Sequence, residues 1–403
     1  MSTVRLPRSK LRGIFQSMRR NPAPKAPMIK PMYPLQQALR VGRQAAGFSG
    51  AGAKKVLFFS RDPGGANCII PVFKRLAAQK TITPILWGKD YSIIRYGEEK
   101  LKYKDISYLN TFQVISFLQS KQVKFILTGT SYGDYSEQKL WKLARKLHIP
   151  TAAIVDQWLN YRLRFTSLAG RIITPDKILV LDNFARKEMI GEGFQKAQLL
   201  VVGHPSFDLL GEMVGWDKKN VIRHRLSILF ICDAIEQAVH VNFGYTEKTI
   251  ITELLTAFES VNYSDKIDLV IKLHPKNDLD AMRMFIKRVS LPKLVSISLT
   301  KTTPLHKLIL ISDLVIGMYS MGLVEAYLLG KPVMSVQIGL RKEDEFILSR
   351  RGVTRTIRSS QILIEEFNRF FLKKRVRYKK RFPIVPHAGE NVIKFIIDTI
   401  NRK

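Results

Sequence analysis

Residues Gly317–Val336 read GMYSMGLVEAYLLGKPVMSV. The apolar run just before and into this stretch ends as a strand would. A polar turn at Tyr319-Ser320 follows, then a helical pattern, a Gly-Lys-Pro break and a second strand. A short apolar strand, a helix and another apolar strand form a unit that buries its strands on both faces, as parallel sheets do. Packing alone has no need of Tyr319 and Ser320 at the turn, or of Glu325 about one and a half turns into the helix. In open parallel sheets ligands bind beyond the carboxyl ends of the strands. The turn is therefore a candidate small-molecule site.

The same alternation runs outward in both directions. Upstream lie the strands SILFICDA, DLVIKLHP and LVSISL, each followed by a helical pattern. Before a polar stretch near GWDKKNVIRHRL there is a second set: KVLFFS, ITPILWG, KFILTGT, PTAAIVDQ, KILVLDN and QLLVVGH. The chain of 403 residues is too long for one core and suits two α/β domains, each with a parallel sheet and the two facing a central cleft. The expected division is a basic tail over 1–53, a first Rossmann-like domain over 54–216, a second Rossmann-like domain over 217–385, and a C-terminal helix over 386–403.

The net charge is +33, from 66 basic and 33 acidic residues. Such an excess points to polyanions: nucleic acid, an anionic membrane face or phosphorylated substrates. Met1 to Lys55 carries twelve Lys/Arg and no acid, and Arg358 to Arg381 carries nine against Glu365 and Glu366. The tail holds few aromatics, so no specific nucleic-acid partner is expected. It shares the composition of an organelle transit peptide, but a solvated basic tail touching anionic lipid is preferred. No segment approaches roughly 18 apolar residues, so no membrane-spanning helix is expected. Cys68 and Cys232, far apart in apolar runs, read as buried free thiols in a reducing compartment. The expected location is cytoplasmic, with peripheral attachment to the inner membrane face.

Four strand ends collect polar groups. In FFSRDPGGANCII, Asp62 is followed by Gly64, Gly65 and Asn67 at a helix start, where bare backbone and helix amides attract anions. An ordinary turn with Asn67 as helix cap is the alternative. In VIKLHPKND, Lys272 and His274 end a strand. At the opening turn, Tyr319, Ser320 and Gly322 could hold a diphosphate on the helix dipole, with Glu325 accepting ribose hydroxyls. The alternative there is a Ser320 N-cap and a solvent-facing Glu325. In AAIVDQWLNYRLRF, Asp156, Gln157, Trp158 and Arg162 suit a sugar or alcohol acceptor. His204 and Asp208 in VVGHPSFDLL read more readily as structural. No metal site is expected: H-E-x-x-H and Cys/His clusters are missing, and the Asp278–Asp280 pair reads as a helix cap.

Together, KLHP, SDLVIGMYSMGLVEAYLLGKPVMSV and the late HAGENVIKFI resemble the C-terminal half of GT-B glycosyltransferases, above all the CDP-glycerol glycerophosphotransferase and capsule-polysaccharide group. VVGHPSFD is similar to the inter-domain strand of lipid-A-disaccharide synthases and UDP-GlcNAc 2-epimerases. The resemblance spans about Lys54 to Asn401. It implies a GT-B fold and a metal-independent transferase that uses a nucleotide sugar or nucleotide-glycerol donor without a further cofactor. The implied pathway is surface polysaccharide or glycolipid synthesis at the cell envelope, with a glycan or lipid-linked acceptor. It further implies that His274, Ser320 and Glu325 bind the donor, while Asp62, or else Asp156, acts as base. The group's Asp-Tyr-Ser-Ser turn is here Gly317-Met318-Tyr319-Ser320-Met321, one hydroxyl short. Two other readings stay open: a sugar-nucleotide epimerase on the same fold, and a non-catalytic basic protein binding membrane or nucleic acid.

Overall fold

The computed structural model describes residues 53–79, 81–213, 225–238, 241–373, 378 and 381–402. The expected basic tail, apart from Ala53, and the polar stretch 214–224 lie outside these residues. The run KKVLFFS forms β1 (Lys54–Ser60) because its Val, Leu and Phe side chains are buried on both faces. The first half continues with α1 (Pro63–Ala77), β2 (Ile82–Gly88), α2 (Tyr91–Glu98), β3 (Lys104–Asp105), α3 (Thr111–Ser120) and β4 (Val123–Thr128). Then come α4 (Ser136–Lys146), β5 (Thr151–Ile154), α5 (Tyr161–Phe165), β6 (Lys177–Val180), α6 (Asn183–Gly191), β7 (Leu199–Val201) and α7 (Pro205–Met213). The seven strands are parallel, in the order β3-β2-β1-β4-β5-β6-β7.

The second half repeats the plan. It comprises β8 (Arg225–Ile231), α8 (Glu247–Ser260), β9 (Lys266–Lys272), α9 (Leu279–Arg288), β10 (Val295–Thr300), α10 (Leu305–Ile311) and β11 (Leu314–Gly317). After these come α11 (Met321–Leu328), β12 (Val333–Val336), α12 (Ile347–Arg350), β13 (Thr356–Ile357), α13 (Ser360–Lys373) and α14 (Ala388–Asn401). This sheet is also parallel, ordered β10-β9-β8-β11-β12-β13. The expected architecture of two Rossmann-like domains is therefore what the chain adopts. In each sheet the strand order reverses beside its first strand, at β1/β4 and at β8/β11. Those are the crevices where such sheets take ligands.

Some elements differ from the sequence reading. Helix α2 and the short β3 are not marked by it: α2 buries only Ser92 and Tyr96, too few positions to give a helical period. Helix α1 starts at Pro63, four residues before the expected start, because proline's fixed φ and missing N–H suit a first helical position. Helix α14 is not a separate appendage. Its Val392, Ile393, Ile396 and Ile400 join Val56, Phe58 and Phe125 in one core on the first sheet. Asp208 on α7 caps it, accepting from the amides of Ala388 (3.0 Å) and Gly389 (2.8 Å).

The two halves share an apolar cluster in which Trp158 and Phe207 pack with Leu323, Val324, Phe346 and Phe382. Polar ties reinforce it. Arg350 donates to the Trp158 carbonyl at 2.6 Å and pairs with Glu188, and Arg351 pairs with Asp182 at 2.5 Å. No helix among the described residues is long and apolar enough to cross a membrane. Cys68 and Cys232 are free and buried.

Candidate active site at two facing sheet rims

At the rim of the first sheet, Asp62 sits at the N-cap of α1 and pairs with Arg61 at 3.0 Å. Burial pushes its carboxyl pKa up; Asp156 adds to the rise, and Arg61 and Lys276 oppose it. Arg61 also bonds Asp90 at 2.7 Å, and Lys89 reaches Asp134 at 2.7 Å. Behind this, Glu137 opens α4 fully buried, accepts from Ser131 Oγ at 2.5 Å, and is pushed up to about 8 by burial.

The sequence reads Gly64 and Gly65 as bare backbone at a helix start that could approach an anion. Both lie in the first turn of α1. A Cβ on Gly64 would stand 1.7 Å from Asp156 Oδ2, and one on Gly65 would stand 3.1 Å from Gly129 Cα. Their bareness makes room for protein atoms. Asn67 is not a cap: its Oδ1 accepts from Arg95 Nε at 2.9 Å and ties α1 to α2.

The expected acceptor cluster is largely internal. Asp156 is 3% exposed and pairs with Arg164 at 2.6 Å, while Arg164 also donates to Thr130. The Asp156 carbonyl lies 3.1 Å from His204 Nε2. The carboxylate is enclosed between Arg164 and the start of α1, and it is the backbone carbonyl that holds His204. Trp158, also 3% exposed, donates its indole N–H to Asp182 at 2.9 Å and packs on Phe207 and Phe382, so it offers no face to an acceptor. Arg162 is exposed but turned to the end of α6, where its amide bonds Glu192 Oε2 at 2.9 Å and its guanidinium bonds the Glu192 carbonyl at 3.0 Å. Gln157 is half-buried at the strand end.

The rim of the second sheet is different in kind. Lys272 Nζ donates to the Lys301 carbonyl at 2.6 Å, and Lys301 Nζ donates to the Asn277 carbonyl at 2.8 Å. Burial lowers the pKa of Lys272, and Arg95 and Lys301 lower it further against Glu98. His274 Nδ1 accepts the Lys276 amide at 3.1 Å, so in the neutral ring Nε2 carries the proton. Burial, followed by Lys276, Lys301 and Lys272, pushes His274 down to about 4. Among the described residues no carboxylate forms a salt bridge with Lys272, Lys276 or Lys301.

Ser320 is the N-cap of α11, its hydroxyl accepting the Gly322 amide at 3.2 Å. Gly322 is bare for packing: a Cβ there would meet Ile231 Cδ1 at 2.9 Å and Leu305 Cδ2 at 3.0 Å. With its amide taken by Ser320, Gly322 is not the free phosphate donor that the sequence suggests. Tyr319 stacks on Phe243 with ring centroids 5.6 Å apart. Glu325 is buried and lies 3.1 Å from His306 Nε2, rather than open to a ribose as expected. Burial works against a charge on His306, but Glu325 more than compensates and raises its pKa.

The sequence reading passes over Asp233, which spans the β8/β11 crevice. Its Oδ2 accepts the Tyr319 amide at 3.2 Å, and burial pushes it up to about 7. It also passes over Glu247, buried beneath the amides of Ile235 and Glu236 and the Asn277 amide group. Asp233 follows strand β8 as Asp62 follows β1, so the strand-end rule alone points to it. Asp278 caps α9 as expected, accepting from Asp280 and Ala281. The two rims face one another: Lys276 Nζ lies 5.4 Å above the Tyr91 ring and acts on Asp62, and Arg95 and Glu98 act on Lys272.

No family model and no curated protein matches the chain. Solved structures resemble it in fold. UDP-GlcNAc 2-epimerase from Neisseria meningitidis, bound to UDP-GlcNAc, superimposes with a TM-score of 0.62 at 17% identity, over 85% of this chain and 100% of its own. S. aureus MnaA, solved with UDP, gives 0.63 at 16% identity, over 87% and 98%. Acinetobacter baumannii MurG gives 0.51 at 14% identity, over 86% and 99%. The fold is thus GT-B-like.

Proposed function

We propose that the chain is a transferase acting on a nucleoside-diphosphate-activated donor, with a sugar or a glycerophosphoryl unit passing to an acceptor hydroxyl in glycan or glycolipid synthesis. One observation carries this reading. Three lysines with no salt-bridging carboxylate among the described residues, and a neutral histidine, stand at the second rim and face the raised-pKa carboxyl of Asp62 across the crevice. A diphosphate supplies the missing negative charge. Lys272, Lys276 and Lys301 balance it, and His274 donates from Nε2 without competing for the proton. The Ser320 end of α11 adds the positive end of its dipole.

In this reading the acceptor O–H gives its proton to Asp62 as its oxygen attacks the anomeric carbon of a sugar donor, or the glycerol-bearing phosphorus of a nucleotide-glycerol donor. With a sugar donor the carbon–oxygen bond to the diphosphate breaks and the diphosphate keeps the electron pair; with the glycerol donor the bridging phosphorus–oxygen bond breaks and the nucleoside monophosphate keeps it. Burial raises the Asp62 pKa, which makes the carboxylate a stronger base than a solvated one. The CDP-glycerol group remains one source for the donor, and uridine nucleotides, which two of the similar structures bind, are another. Epimerisation of a nucleotide sugar is the second reading, favoured by the likeness in fold to UDP-GlcNAc 2-epimerase.

A thermal-shift screen of the full chain at moderate salt against UDP, CDP, GDP and their sugar forms tests the proposal, repeated with Lys301→Ala. One nucleotide should raise the melting temperature, and the variant should lose most of that shift. No shift with any nucleotide overturns the reading. Conversion of the bound nucleotide sugar to an isomer with no acceptor present replaces transfer by epimerisation.

A further inference from the structure

The first sheet has one helix layer that the proposed chemistry does not use. Helices α3 and α4 lie side by side on it, their Val114, Leu118, Leu140 and Ala144 sharing one apolar cluster. The loop after α5 runs along α4: Gln138 holds the carbonyls of Arg164 and Thr166, and Arg145 holds that of Thr174. The outward surface of this layer is basic. Lys139, Lys142 and Lys146 are exposed at helical spacing on the side of α4 opposite Leu140 and Ala144. Lys121 and Lys124 extend the charge beyond α3. Acids are fewer here: Asp105 and Asp176 are exposed, the latter bonded to Thr151, Asp134 is half-buried, and Glu137 and Asp156 are internal.

Large apolar side chains project from the same layer. Tyr108 is 94% exposed, Phe112 77% and Leu168 85%. Leu168 does not sit on a ragged coil. It occupies a closed turn in which the Gly170 amide bonds the Ser167 carbonyl at 2.9 Å and Ser167 and Arg171 bond across the base. A bridge between Thr166 and Ile172 closes the loop below. A built turn that presents a leucine to solvent beside arginine and lysine exposes apolar surface at a cost that water does not return.

We infer that this face, formed by α3, α4 and the loop around Leu168, docks on an anionic lipid bilayer. Lysines meet the headgroups, and Leu168, Phe112 and Tyr108 enter the interface below them. The choice of a bilayer over nucleic acid rests on Leu168, which has an acyl chain to bury against but no base to stack on. The inference does not depend on the basic tail or on the reaction catalysed.

Full-length Leu168→Cys and Lys394→Cys chains, each labelled with an environment-sensitive fluorophore, separate this face from the rest of the molecule. Lys394 is exposed on α14, on the opposite face of the sheet, and both native cysteines are buried. Phosphatidylcholine vesicles with about a third phosphatidylglycerol should blue-shift the label at 168 and leave that at 394 unchanged, while pure phosphatidylcholine does neither. Adding Lys139→Gln, Lys142→Gln and Lys146→Gln should raise the lipid concentration for half-maximal shift at least about tenfold. Vesicles that carry the protein down while the 168 label stays unshifted overturn the proposal, because another segment then holds the membrane. A shift at 168 with single-stranded RNA but not with vesicles overturns it in favour of a nucleic-acid face.

Discussion

The rim of the first sheet answers its own charges, and the rim of the second does not. Asp156 has Arg164 and Asp62 has Arg61, while Glu137 is kept protonated by burial and bonded to Ser131. Across the crevice, Lys272 and Lys301 lean on backbone carbonyls, and His274 is held neutral by burial and neighbouring cations. Two sheets of one architecture thus finish differently. A self-satisfied rim holds geometry, whereas a rim with unmet charge is built around something that arrives from outside.

Variants can break this contrast, and the strongest should act on the first rim through stability. Arg164→Ala leaves Asp156 buried without its partner, and a loss of about 3–5 kcal/mol in urea unfolding is expected. A loss within experimental error would mean that the pair is solvated and the rim is not self-satisfied. Next comes Glu137, whose carboxyl keeps its proton in the folded chain up to about pH 8 and loses it near 4.5 when unfolded. The folded form therefore binds more protons between those values, so this contribution is complete below pH 4.5 and is lost as pH rises toward 8. Glu137→Gln should flatten that slope and gain on the order of 3 kcal/mol over the parent at pH 8.5, as read from unfolding curves at several pH values. Gly64→Ala should cost about 1–3 kcal/mol by driving a methyl onto Asp156. The mildest change belongs to the second rim. Lys301→Ala should leave the unfolding midpoint within about 0.5 kcal/mol of the parent, yet weaken nucleoside-diphosphate binding about tenfold by calorimetry. A variant that unfolds but binds normally would invert the contrast.

The sequence carried the alternation of strands and helices clearly, because buried parallel strands are near-continuous apolar runs, and it marked both rims by strand-end residues. It did not carry which of those residues face a ligand. Asp156 and Trp158 read as acceptor groups because polar and aromatic letters crowd one loop, yet their partners Arg164 and Asp182 are recruited by the fold. Gly64 reads as a ligand cradle, and only the position of Asp156 shows what fills the space. Glu325 meets His306 from the preceding helix, a contact with no local signature. Lys301 and Asp233 were legible by position and passed over.

Helix α14 brings the last ordered turn of the chain back to the first strand. Lys54 Nζ donates to the Ile400 carbonyl at 3.0 Å and to Asn401 Oδ1 at 2.8 Å. During synthesis the first sheet therefore emerges with one face covered only in part, by α1, and the core around Val56, Phe58 and Phe125 is completed by residues made more than two hundred and fifty positions later. The second domain is, in folding terms, an insertion that must leave the ribosome before the first can close. The same proximity makes Lys54 and Asn401 natural points to splice: a short linker between them, with new ends opened in an exposed loop, should yield a circular permutant in which the first domain is completed early.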